Sequence, residues 1–245
     1  IHEGGELGYA LATAFGAALD NPDLIVACII GDGEAETGPT AGAWHSNKFL
    51  DPVTGGAVLP ILHVNGYKIA NPTIYRTMSN AELTKLFEGF GWHPLIVEGG
   101  ALDASMAAAL DQAYAEIREV QEAARSGNRP SRPRWPMIVL RSPKGWTGIK
   151  QLEGVQIEGT SKAHQVPASS ARTDRGHLEA LEGWLRSYSP HELFDDSGSP
   201  VPEVLAACPT GDLRMGANPH ANGGLLRKPL KLPDLEKHAA AVTGP

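Results

Sequence analysis

The chain has 245 residues, 42% of them hydrophobic and 20% charged, with a formal net charge of −7. That length buries one large core or one core with an appendage, and the acidic balance argues against a nucleic-acid or acidic-membrane binder, whose phosphate contacts need clustered Lys and Arg. Phosphorylated small molecules stay open, because they need local donors and not a basic surface. Leu7 to Leu19 ("LGYALATAFGAAL") reads as a helix that stops at Asn21-Pro22. Leu24 to Ile30 ("LIVACII") is apolar at every position, which predicts a strand covered on both faces. Pro39 to Phe49 is a helix candidate containing His45, and Leu59 to Val64, containing His63, is a second buried strand. A helix at Asn80 to Phe90 precedes a third strand at Leu95 to Val97. From Leu102 to Arg125, Met106, Leu110, Ala113, Ile117 and Val120 recur at helical spacing, with Asp111, Glu116 and Glu119 opposite, so a long amphipathic helix is expected. Pro136 to Arg141 is a fourth strand. After Tyr188 prolines punctuate an aperiodic tail.

This alternation predicts an α/β fold, a parallel sheet with helices on both faces, over residues 1–188, followed by an irregular linker or arm over 189–245. No stretch approaches the ~20 apolar residues of a membrane helix, and no basic n-region followed by an apolar core marks a secretory signal in these residues. Cys28 and Cys208 make neither a disulfide framework nor a zinc spacing, which fits a reducing, cytoplasmic setting. The first residue is Ile1 and not Met, so the chain reads as an internal piece of a longer protein.

The stretch "IIGDGEAETGP" sets Asp32, Glu34 and Glu36 immediately after a buried strand. In an open parallel sheet, ligands sit beyond the carboxyl ends of the strands. Asp32 ends the first strand, Asn65 ends the second, and Lys144 follows the fourth, so a carboxylate, an amide oxygen and a cation converge on one edge. One carboxylate with neutral oxygens, completed by phosphate oxygens, is a usual set for Mg²⁺. Asp-Gly and Asn-Gly are also common turn pairs, and Lys144 taken alone is equally a solvated loop lysine.

"GDG" followed one strand-to-strand excursion later by Asn resembles the thiamine diphosphate binding motif. More narrowly, "EGGELGYAL", "IIGDGEAETGP", "LPILHVNGYKIANPT", "SPKGWTG", "HQVP" and "PTGDLRMGANPHANGG" resemble phosphoketolase, from Ile1 through about Gly224. The resemblance implies a thiamine diphosphate-binding fold and cleavage of xylulose 5-phosphate or fructose 6-phosphate with inorganic phosphate to give acetyl phosphate. It implies Mg²⁺ held by Asp32, Asn65 and the main-chain oxygen of Tyr67. Gly4, Gly5 and Gly33 then let backbone N–H groups approach the cofactor, Glu34 stands on the cofactor side, and Lys144 and His164 lie near the diphosphate or the substrate. His164 is the candidate for proton handling, imidazole being the side chain that changes charge near neutral pH; without the resemblance it reads as a solvated loop residue. The tract before it is "SKAHQVP", with Ala163 where the family pattern has Ser.

The family protein is about three times longer and completes each site with a pyrimidine-binding domain, normally across a homodimer or higher homo-oligomer. The chain is therefore expected to supply the Mg-diphosphate half and to be inactive alone. A transketolase-like two-carbon transferase and a non-catalytic domain with a vestigial cofactor fold are the alternatives.

Overall fold

The computed structural model describes residues 6–128 and 132–214, together with Ala217, Asp234 and Lys237. The described residues fall into two compact units, one ending at Leu193 and the other beginning at Phe194.

In the first unit, helix α1 (Ala10–Ala18) leads into strand β1 (Ile25–Gly31), followed by the one-turn helix α2 (Asp32–Ala35) and by α3 (Gly38–Ala43). The predicted helix over Pro39 to Phe49 is broken: α3 stops at Ala43, His45 lies in the turn beyond it, and Ser46–Lys48 is a 3-10 turn. Strand β2 (Ala57–Val64) leads to the short helix α4 (Ile74–Thr77) and then to α5 (Asn80–Phe90). The bounds of α5 are written locally. Ser79 and Glu82 form a reciprocal capping box at its start, and Gly91 ends it in the left-handed conformation at φ +91°. Strand β3 (Trp92–Val97), helix α6 (Leu102–Arg125) and strand β4 (Trp135–Arg141) complete the alternation. Beyond them lie a two-residue hairpin at Gln151–Leu152 and Val155–Gln156, a 3-10 turn at Ser161–His164, α7 (Arg175–Arg186) and α8 (Pro190–Leu193). The second unit holds α9 (Pro202–Ala207) and a 3-10 turn at Gly211–Leu213.

The four long strands make one parallel sheet in the order β1-β2-β4-β3. Their register aligns Ile30, Leu62, Val139 and Ile96 on one face and Ile29, Ile61, Ile138 and Leu95 on the other. The first face carries Trp92, whose ring meets Phe15 of α1 and Trp44 at centroid distances of 6.2 and 6.5 Å. The second face carries His93, which is 2.8 Å from Glu116 of α6. Helices thus cover both faces, and β2 and β4 are buried along nearly their whole length.

Strand β1 departs from the expectation of cover on both faces. Cys28 and Ile30 are buried, whereas Ala27 is exposed and Ile29 is 70% exposed. Helix α6 lies over β3 and β4, so the β1 end of its face stays open. On α6 the expected Ala113 and Ile117 are buried and Met106 and Val120 pack against the core, whereas Leu110 is exposed and Ala109, Gln121 and Ala124 join the buried stripe. Gln121 is fully buried, its amide oxygen accepting from Arg118.

Candidate functional site

Strand β1 delivers its last residue, Gly31, in extended conformation and the backbone turns at once into α2, so that Asp32 is the first helical residue. Asp32 is 1% exposed. A buried carboxylate is tolerable only if its oxygens receive donors, and here three reach it. Gly66 N and Thr73 Oγ1 donate to Oδ2 at 2.7 and 2.8 Å, and Gly33 N donates to Oδ1 at 3.1 Å. Two of these come from the loop that follows β2, so the carboxylate at the end of one strand gathers the loop at the end of its neighbour.

That loop is closed on itself. Thr73 N donates to Gly66 O at 3.2 Å, Lys68 N donates to Asn71 O at 2.8 Å, and Tyr67 and Pro72 form a bridge between them. Asn65 Oδ1 accepts from Tyr67 N at 3.1 Å. Arg76, in α4, lies over the Tyr67 ring, 4.2 Å from its centroid.

Lys144 reaches the same loop from beyond β4. It is buried, and its ammonium donates to the carbonyls of Tyr67 and Lys68 at 2.9 and 2.6 Å. Burial lowers its pKa, and the nearby negative charge of Asp32 opposes that shift. The Tyr67 carbonyl therefore already serves a cation.

Two acids beside Asp32 hold backbone. Glu34 Oε1 accepts from Gly8 N at 3.0 Å. Glu36 accepts from Ile74 N at 2.7 Å and pairs with Lys68. His63 Nε2 and Ser142 Oγ are 2.7 Å apart, and burial lowers the imidazole's pKa against the attraction of Asp32.

The loop after β4 is joined to the 3-10 turn bearing His164. Gly159 N donates to Lys144 O at 2.7 Å, and a Cβ placed on Gly145 would lie 2.6 Å from Ala163 Cβ. His164 ends that turn with its side chain exposed. Between the ends of β2, β3 and β4 lies an open depression of about 430 Å³ lined by Asn65, Tyr67, Arg76, Glu98 and Arg141.

The structure thus brings Asp32, Gly33, Asn65, Tyr67, Lys144 and the His164 turn to the carboxyl edge of the sheet. Gly4 and Gly5 lie outside the described residues. Among the described residues, no group of three or more His, Cys, Asp or Glu side chains comes together as a metal cluster. One carboxylate, an amide oxygen and a backbone carbonyl are instead the donor chemistry of a hard cation that keeps other oxygens as ligands, and they fit Mg²⁺. Sequence reasoning overlooked Thr73, which is 1% exposed and holds Asp32. The available signal was its place after Asn71-Pro72 and before Ile74, where a Thr caps a helix; its side chain indeed accepts from Arg76 N.

A family model described as "XFP N-terminal domain" matches residues 1–226. A probable phosphoketolase of Bradyrhizobium diazoefficiens is 62% identical over 249 residues, covering 100% of this chain and 31% of its own length. One from Streptomyces coelicolor is 59% identical over 248 residues, with the same shares. The chain spans about a third of the length of these curated relatives. Among solved structures, a mutant transketolase of Pichia stipitis matches with a TM-score of 0.46 at 15% identity, over 77% of this chain and 30% of the other. A transketolase of Leishmania mexicana matches with a TM-score of 0.43 at 18% identity, over 76% and 29%. Since the family model spans most of the chain and the relatives align along all of it, the polypeptide belongs to the XFP N-terminal domain family.

Proposed function

We propose that this chain is the diphosphate-side domain of a thiamine diphosphate-dependent phosphoketolase, an aldehyde-lyase. The full-length enzyme converts xylulose 5-phosphate or fructose 6-phosphate, with inorganic phosphate, to acetyl phosphate, an aldose phosphate and water. The observation that carries this reading is the buried Asp32 carboxylate at the end of a parallel strand, bonded to the loop whose Tyr67 carbonyl accepts from the Lys144 ammonium. The identity to probable phosphoketolases along the whole chain supports the substrate class.

Asp32, Asn65 and the Tyr67 carbonyl hold Mg²⁺ on this reading. Gly33 leaves room for close backbone approach, with Gly4 and Gly5 assigned the same role by resemblance alone. Glu34 acts on the cofactor side through the Gly8 backbone that it holds. Bound thiamine diphosphate supplies the electron sink for cleavage between C2 and C3 of the sugar. Lys144 offers a positive charge to phosphate oxygens at the sheet edge. His164, exposed on a turn tied to Lys144, moves protons at the substrate. The aminopyrimidine grip comes from a further domain of the full-length protein, which works as a homodimer or higher oligomer in the cytoplasm, and the chain alone is inactive. Among the described residues no helix is long and apolar enough to cross a membrane, and nucleic acid is not a partner on this reading.

The test uses the full-length protein. Asp32→Ala removes the sole charged protein ligand assigned to the metal, so calorimetry with Mg²⁺ and thiamine diphosphate should register a large loss of cofactor affinity. The unaltered enzyme should yield acetyl phosphate, trapped as its hydroxamate, from xylulose 5-phosphate and phosphate. Unchanged affinity in the variant overturns the site, and a product pattern of two-carbon transfer to an aldose without acetyl phosphate overturns the reaction.

A further inference from the structure

We infer that Thr73 is a positioning residue that commits Asp32 to bind its metal through Oδ1 alone, and thereby sets the preference of the site for Mg²⁺ over larger divalent cations. The inference rests on the metal reading above.

The two carboxylate oxygens are unequal. Oδ2 accepts short hydrogen bonds from Gly66 N and Thr73 Oγ1 at 2.7 and 2.8 Å, whereas among the described residues Oδ1 has only the 3.1 Å contact from Gly33 N of the adjoining residue. A carboxylate offers about four lone-pair sites, two on each oxygen. Both sites of Oδ2 are spent and one on Oδ1 is left. The direction of the Thr73 proton is fixed as well. Arg76 N can only donate to the hydroxyl, at 3.3 Å, and the ionised Asp32 can only accept from it. The three groups form a one-way chain from the Arg76 amide through the hydroxyl to the carboxylate, buried at Thr73 and at Asp32, where such bonds reinforce one another.

The two donors on Oδ2 also come from the two ends of one closed loop, since Thr73 N itself bonds Gly66 O. The loop carrying Tyr67 is therefore locked to the carboxylate at both ends. With Oδ2 occupied, Asp32 cannot chelate through both oxygens. Single-oxygen ligation suits Mg²⁺, which demands a small octahedral shell, while Ca²⁺ accepts bidentate carboxylates and more ligands. Removing the hydroxyl frees one site on Oδ2, loosens the carboxylate and makes the bidentate mode available.

In the full-length protein, thiamine diphosphate binding is measured calorimetrically as Mg²⁺ or Ca²⁺ is titrated, for Thr73→Val, Thr73→Ala, Thr73→Ser and Asp32→Asn. Partners that orient metal ligands typically contribute about 10- to 100-fold in metal affinity. Thr73→Val should weaken Mg²⁺ by that amount and Ca²⁺ by less, so that the Mg²⁺ to Ca²⁺ preference narrows, and Thr73→Ser should restore both. Should Thr73→Val fail to fold, Thr73→Ala against Thr73→Ser reads the hydroxyl in its place. Equal losses for both cations, or a Ser variant no better than Val or Ala, make Thr73 a packing residue and overturn the inference. Asp32→Asn separates the two readings. If it abolishes Mg²⁺ dependence while the hydroxyl-deleted variants bind normally, only the role of Thr73 is lost. If Asp32→Asn leaves Mg²⁺ binding intact, the metal site falls and the role of Thr73 with it.

Discussion

Asp32 and Lys144 are both buried at the sheet edge, and each is satisfied mainly by backbone and hydroxyl groups of one loop rather than by direct pairing. Such an arrangement keeps a charge of each sign available to incoming groups. His164 differs, being exposed at the end of a short turn. His164→Ala should therefore leave the melting temperature and cofactor affinity of the full-length enzyme nearly unchanged. Turnover should fall by about 10²- to 10⁴-fold, the usual share of a general acid–base group; full activity would return the residue to the solvated class. Cys28 makes the contrasting case. Burial first, and the charge of Glu34 second, push its thiol up from 9.0 to about 12. The folded state thus prefers the neutral thiol. Its contribution to stability is complete below pH 9.0 and is lost as pH rises toward about 12, because the unfolded chain ionises first. A thiol-specific reagent at pH 8 should label the exposed Cys208 of the native chain and reach Cys28 only in denaturant, as read by mass spectrometry of the two peptides. Prompt native labelling of Cys28 would contradict its burial.

Between elements, the decisive contacts join loops that leave different strands. Gly145 sits at φ +75°, and a side chain there would meet Ala163 Cβ at 2.6 Å. Gly145→Ala should consequently cost about 1–3 kcal/mol in strain and overlap. The turn bearing His164 would be pushed away from Lys144, so thermal unfolding should move down and turnover should fall together. A variant with lowered turnover and an unchanged melting curve would mean that the two loops are not mechanically joined. The inward face of α6 makes a related point about packing. The sequence pattern puts Leu110 on the inner face, yet Ala109 and Ala124 join Ala113 and Ile117 there and Leu110 stays outside. Small side chains let a helix lie close on a sheet whose own strands already supply bulk, as Ile138, Leu95 and Pro136 do on that face.

Among the described residues of the first unit, the sheet is covered by helices except along one side of β1, where Ala27 and Ile29 are open. Exposed apolar surface of this kind favours association. The separately expressed chain should elute from a sizing column as associated species, and Ile29→Lys should shift it toward monomer with little change in melting temperature; an unchanged profile would clear this face of responsibility. Much of the unit was legible in the sequence. The bounds of α5 and α6 are as expected, because capping residues, a terminal glycine and helical periodicity act within a few residues of the chain. The four strands likewise follow from short apolar runs, and Asp32 and Asn65 follow from their places at strand ends. Tertiary structure decided the rest. Thr73 meets Asp32 from 41 positions away, and Lys144 meets the Tyr67 carbonyl from 77 positions away. An apolar run such as "LIVACII" tells that a strand is buried, and it does not tell how far a distant helix extends over it. The strand order β1-β2-β4-β3 and the placement of α6 settle that, and both arise from packing between segments remote in the chain, which no local pattern of residues encodes.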